Sequence, residues 1–117
     1  MWQCRIVVLM KVVRTKIYTR KISKLLTERE LLSVEKEIIS FPEKWPIIVG
    51  TGGIRKARAA RGNSGKSGGL RIMYYFWQHK ENIFFLDVFA KNEKENLDAQ
   101  DKEQLRQITD ILKKMDV

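Results

Sequence analysis

Leu70-Arg71-Ile72-Met73-Tyr74-Tyr75-Phe76-Trp77-Gln78 is the stretch that decides the architecture. Its aromatic and apolar density suits a pleated, half-buried surface. Successive side chains of a strand point to opposite faces. Ile72, Tyr74 and Phe76 therefore share one face, and Arg71, Met73, Tyr75 and Trp77 the other. Upstream, Ile54-Arg55-Lys56-Ala57-Arg58-Ala59-Ala60 reads as a shorter strand, and downstream Ile83 to Ala90 as a third. The connection from Arg61 to Gly69 is long for a hairpin, whereas the turn from His79 to Asn82 is tight.

Helices flank this β region. Ile17, Ile22, Leu25 and Leu26 recur at near-helical spacing between basic residues. Thr27-Glu28-Arg29-Glu30 is a capping box that starts a second helix, with Leu31, Leu32, Val34, Ile38 and Ile39 as its apolar side. Phe41-Pro42 ends it, because the residue before proline is pushed out of the α region. Asp98 caps a last helix of about Ala99 to Met115, with Leu105, Ile108, Ile111, Leu112 and Met115 on one side. Arg5 to Arg14 has the β-branched content of an opening strand. The expected class is α+β: a small antiparallel sheet with two N-terminal helices and a C-terminal helix, in the order β-α-α-β-β-β-α. One domain is expected over residues 1–117; Met10-Lys11 would make an ordinary start, so residues 1–9 are either a genuine N-terminus or a mis-called extension. An intact mass retaining Trp2 contradicts that start.

Charge narrows the function. The formal net charge is +9, and the run between Glu43 and Glu81 contains no acidic residue. Two glycine-rich segments, Gly50-Thr51-Gly52-Gly53 and Gly62-Asn63-Ser64-Gly65-Lys66-Ser67-Gly68-Gly69, bracket a basic strand. Unpaired cations beside tight turns suit a polyanion, and at this charge nucleic acid fits better than a small metabolite. One cysteine and one histidine exclude an internal disulfide and a His/Cys zinc cluster, so neither metal nor cofactor is expected. A single cysteine suits a reduced cytoplasmic setting, and the apolar run from Ile6 to Met10 is too short to span a bilayer. Gly65-Lys66-Ser67 is not a phosphate-binding P-loop: Ala60 replaces the required glycine and a strand, not a helix, follows.

By alternation Lys56 and Arg58 share a face, whereas Arg55 points with Ala57 and Ala59. With Ile72, Tyr74 and Phe76 in the core, Arg71 and Tyr75 join Lys56 and Arg58 on an open sheet face. Cations beside a stackable aromatic make a coherent single-stranded RNA surface, and a solvated basic face is the plain alternative. His79 reads as a turn residue, Cys4 as an incidental thiol, and Asp98 and Asp101 as groups serving a helix start. Lys91-Asn92-Glu93-Lys94 leaves the last strand at a sheet end, within reach of the same face.

Three ordered motifs resemble the RelE/HigB toxin superfamily, most closely its HigB-type branch. They are Gly50-Thr51-Gly52-Gly53-Ile54-Arg55-Lys56-x-Arg58, Gly65-Lys66-Ser67-Gly68-Gly69-x-Arg71-Ile72-x-Tyr74-Tyr75 and Ala90-Lys91-Asn92-Glu93-Lys94. The resemblance runs from about Lys11 to the C-terminus. It implies a bacterial type II toxin that cleaves mRNA in the ribosomal A site without metal, is neutralised by a cognate antitoxin, and uses the RNA 2′-hydroxyl as nucleophile. It implies a catalytic set of Lys56, Arg58, Arg71 and Lys91, with Asn92 and Glu93 matching its motif as RNA contacts; Arg55, Arg61 and Lys66 are expected to contact RNA as part of the basic stretch, and Tyr75 by strand alternation alone. The partners are then mRNA, the ribosome and the antitoxin; for the acidic residues Asp98, Asp101 and Glu103 a solvated helix face is the plain reading and antitoxin contact the alternative. Ala57 and Ala59 stand where relatives often carry larger apolar side chains, implying a less firmly packed strand. Two other readings stay open: a ParE-like toxin that inhibits gyrase, and a nucleic-acid-binding module without catalysis.

Overall fold

A computed structural model describes residues 11–60, 69–77, 81–90 and 97–114. The elements are β1 (Lys11–Arg14), α1 (Lys16–Leu25), α2 (Glu28–Ser40), β2 (Ile54–Ala59), β3 (Leu70–Trp77), β4 (Asn82–Ala90) and α3 (Ala99–Lys114). The expected order and α+β class hold. One correction concerns the sheet, which is mixed rather than wholly antiparallel. Its strand order is β1-β4-β3-β2, and β1 runs parallel to β4. The reason lies in α1 and α2, which carry the chain between β1 and the other strands. A long crossover, unlike a hairpin, permits a parallel pairing.

β4 is apolar on both sides, and this sets the layering. Ile83, Phe85 and Val88 enter a cluster with Tyr18, Ile22 and Leu26 of the α1 segment, Ile38 of α2, and Ile72 and Tyr74 of β3. Phe84, Leu86 and Phe89 enter a second cluster with Ile54, Met73 and Tyr75, flanked by Leu105 and Leu112 of α3. A sheet with two apolar faces needs cover on both. Helices α1 and α2 cover one face and α3 covers the other. Between Met73 and Tyr74 the β3–β4 register shifts, so that Met73 faces Asp87 while Tyr74 faces Phe85. Ala57 is fully buried within the first cluster despite its small side chain.

Both helix starts that sequence identifies have their capping bonds. The Thr27 hydroxyl accepts from the Glu30 amide at 3.2 Å, and Glu30 accepts from the Thr27 amide at 2.9 Å. Thr27→Ala removes one half of this box and is expected to cost about 1 kcal/mol, measurable by urea unfolding. Asp98 and Asp101 exchange equivalent bonds at the start of α3, 2.8 and 3.1 Å long. Some apolar positions depart from the expected faces. Leu32, Ile17 and Ile111 are exposed, Ile108 is partly so, and Tyr18, Glu35 and Thr109 take buried places instead.

Glu35 anchors a polar group inside the first layer. Its carboxylate accepts from Arg14 Nε at 3.1 Å and from the Tyr18 hydroxyl at 2.7 Å. Tyr18 stacks on Phe85, with ring centroids 5.2 Å apart, and burial drives its phenol well above the ordinary range. Burial likewise raises Tyr74, to about 12, and raises Tyr75. These are the chain's three tyrosines. A group with a raised folded pKa lends stability that is complete below its unfolded value, near pH 10, and is lost as pH climbs through the folded value. For Tyr74 the window is therefore about pH 10 to 12. An ultraviolet titration should show almost no tyrosinate at pH 10, then a cooperative rise as the fold is lost. A gradual rise centred on pH 10 contradicts this.

Candidate nucleic-acid interface

The first glycine-rich segment is a built corner that fixes where β2 begins. Thr51 is fully buried. Its hydroxyl donates to the Ile48 carbonyl at 2.7 Å and accepts from the Ile54 amide at 3.1 Å. The Thr109 hydroxyl of α3 donates to the Thr51 carbonyl at 3.0 Å, which ties the last helix to the corner. Gly53, with φ +123°, lies so close to Tyr75 that an added methyl group would stand 3.2 Å from its ring. Only glycine combines that backbone angle with that approach.

From this corner β2 runs antiparallel to β3, and the register pairs Ile54 with Tyr75, Lys56 with Met73, and Arg58 with Arg71. Lys56, Arg58 and Arg71 therefore share a sheet face, as alternation implies. Arg58 and Arg71 are direct cross-strand partners, an arrangement in which like charges oppose each other at about 5 Å between Cβ atoms. Neither has an ion pair among the described residues. Arg71 is 8% exposed, and its guanidinium has a single bond among the described residues, to the Leu70 carbonyl at 3.4 Å. Arg58 is exposed at the sheet edge and also borders a groove with Arg29, Glu30 and Glu37 of α2. Lys56 opens into a different hollow, walled by Pro46, Ile47, Ile48, Leu97 and Lys102.

One expected site residue requires correction, and a second is held by the connector. Tyr75 is on the expected face, but that face is not open there: the residue is 6% exposed, beside Phe84 and under α3. Its ring serves the core and is not presented for stacking on a base. Arg55 lies on the opposite face, where its guanidinium donates to the Trp45 carbonyl at 2.6 Å and the Glu43 carbonyl at 3.1 Å. It pins the connector to β2. Arg61, Lys66, Lys91, Asn92 and Glu93 lie outside the described residues, as do residues 1–9, Cys4 and His79. Glu103, on the face of α3 read as solvated, is paired with Arg106 at 2.6 Å.

Sequence reading passed over Lys102 because the start of α3 looks acidic. A signal was present. Lys102, Leu105 and Thr109 are spaced by three and four residues, and Leu105 and Thr109 both face the sheet.

Among the described residues, three helices and a four-stranded sheet in this order make an α+β fold with a basic β2–β3 face. The family model for the RelE toxin of the RelE/RelB toxin–antitoxin system matches residues 10–117, and the chain belongs to that family. Solved structures agree on the fold. The intact RelBE toxin–antitoxin complex of E. coli aligns with a TM-score of 0.53 at 17% identity, over 68% of this chain and 94% of that one. A double arginine-to-alanine mutant of E. coli toxin RelE in the free state aligns with a TM-score of 0.54 at 17% identity, over 75% and 90%.

Proposed function

We propose that this RelE-family toxin is a ribosome-dependent mRNA endonuclease whose cationic core is Lys56, Arg58 and Arg71. The observation that carries the reading is the cross-strand pairing of Arg58 with Arg71, neither of which has an ion pair among the described residues. Opposed like charges cost stability. Such a cost fits a surface whose missing partner is an anion supplied by a substrate.

The chemistry suited to these residues is internal phosphoryl transfer. The RNA 2′-oxygen bonds to the adjacent phosphorus and gives up its proton to a base, while the bond from phosphorus to the 5′-oxygen breaks. The leaving oxygen takes up a proton, and a 2′,3′-cyclic phosphate remains. Negative charge grows on the phosphoryl oxygens in the transition state, where fixed cations stabilise it. Lys91, Lys66, Asn92 and Glu93 belong to the proposal on the strength of their motifs alone, and Arg61 on its place in the basic stretch. A cognate antitoxin is its natural partner, as the RelBE complex of E. coli illustrates.

Lys56→Ala and Arg58→Ala test the reading. Each is expected to relieve growth arrest on induction while circular dichroism and melting temperature stay near wild type. With wild-type protein, amino-acid incorporation should stop before any DNA breaks appear. DNA breaks with continuing protein synthesis would support gyrase inhibition instead.

A further inference from the structure

The hollow beside Lys56 contains a second cation that the sequence motifs do not include. Lys102 reaches it from the first turns of α3, and both lysines line its wall. The stem of Lys102 crosses the glycine-rich corner: a methyl group added to Gly50 would stand 3.6 Å from its Cδ and 3.9 Å from its Cβ. Gly50 has φ +88°, so glycine both permits the turn and leaves room for the stem. Among the described residues neither ammonium has a carboxylate within ion-pair distance. Asp98 and Asp101, at the same helix start, bond to each other's backbone amides.

Two lysines that line one concavity gather positive charge there, and an anion seated between them offsets their mutual repulsion. Pro46, Ile47, Ile48 and Leu97 supply the rest of the wall. The hollow also adjoins the sheet face on which Arg58 and Arg71 occupy the next paired position beyond Lys56 and Met73. A polyanion lying along that face would bring successive charges past both places.

We propose that Lys102 and Lys56 together seat one phosphodiester of single-stranded RNA, with Lys102 acting as a substrate-binding residue next to the cleavage centre. This rests on the nuclease reading above. Lys102 holds the strand and moves no proton. Its loss therefore weakens binding and leaves the chemical step nearly intact.

The test uses purified full-length protein and ribosomes programmed with a short mRNA. Lys102→Ala should raise the half-saturating concentration of programmed ribosomes by about tenfold, the scale of one charge-assisted contact, with the plateau rate within about twofold. Lys102→Arg should restore most of the loss. Lys36→Ala, which removes an exposed charge from α2, should match wild type and so exclude a general charge effect. For binding to a 2′-deoxy trinucleotide, the slope of log affinity against log salt should fall by about 0.7 in Lys102→Ala. In the wild-type protein the side-chain nitrogen resonances of Lys56 and Lys102 should shift together on addition of that trinucleotide. Unchanged saturation in Lys102→Ala, or a trinucleotide that leaves the Lys102 resonance in place, overturns the proposal. If wild-type protein cuts nothing but both resonances shift, the phosphodiester seat stands and the nuclease reading falls.

Discussion

Arg71→Ala is expected to abolish growth arrest and to lower mRNA cleavage by about 100- to 1000-fold, the range for loss of one preorganised group that stabilises transition-state charge. Its effect on stability should be small, within about 1 kcal/mol by urea unfolding. That asymmetry follows from the environment of Arg71. The side chain is buried, lacks an ion pair among the described residues, and directly opposes Arg58 across the ladder. Removing a charge so placed relieves repulsion and desolvation, which offsets the packing lost with the aliphatic stem. A residue placed for folding would behave in the opposite way, with a large loss of stability accompanying any loss of activity. Full toxicity in Arg71→Ala would take Arg71 out of the site.

The second large effect concerns the fold. Glu35→Ala should destabilise the protein by about 2 to 4 kcal/mol, read from the urea midpoint at constant m-value. Glu35 is 3% exposed and accepts from Arg14 and from the fully buried Tyr18 hydroxyl. Its removal strands a buried phenol and a half-buried guanidinium at once. The side chain of Arg14 remains about 41% exposed, and water there limits the loss. Tyr18→Phe removes one bond from the same group and should cost about 1 kcal/mol. If both variants unfold like wild type, this group does not hold α1, α2 and β1 together.

The fold was legible to the extent that local chemistry dictated it. The capping box at Thr27, the proline after Phe41 and the alternation in β3 placed their elements within a residue or two. Parallel pairing of β1 with β4 was not legible, because strand direction depends on the crossover and not on the strand's composition. Nor was the cover over Tyr75. It follows from β4 being apolar on both faces, and the run Ile83-Phe84-Phe85-Leu86 states this only if it is read as a strand needing two partners. Glu35 escaped because a carboxylate on a charged helix looks solvated until Arg14 and Tyr18 are seen around it. Within the site, alternation correctly grouped Lys56, Arg58 and Arg71, since the β2–β3 pairing is regular along its whole length. Tyr75 was misjudged because its ring type suggested an open face, whereas α3 covers it; Arg55 points with Ala57 as alternation implies, and connector carbonyls accept from its guanidinium.

The central claim is that the basic face cuts mRNA on the ribosome, and primer extension on a reporter mRNA tests it most directly. Purified protein is added to the message in a translating extract and, in parallel, to the same message without ribosomes. The account predicts discrete breaks within codons only where ribosomes translate, absent with Arg71→Ala. Intact message in the translating extract, at protein levels that arrest growth, would contradict it.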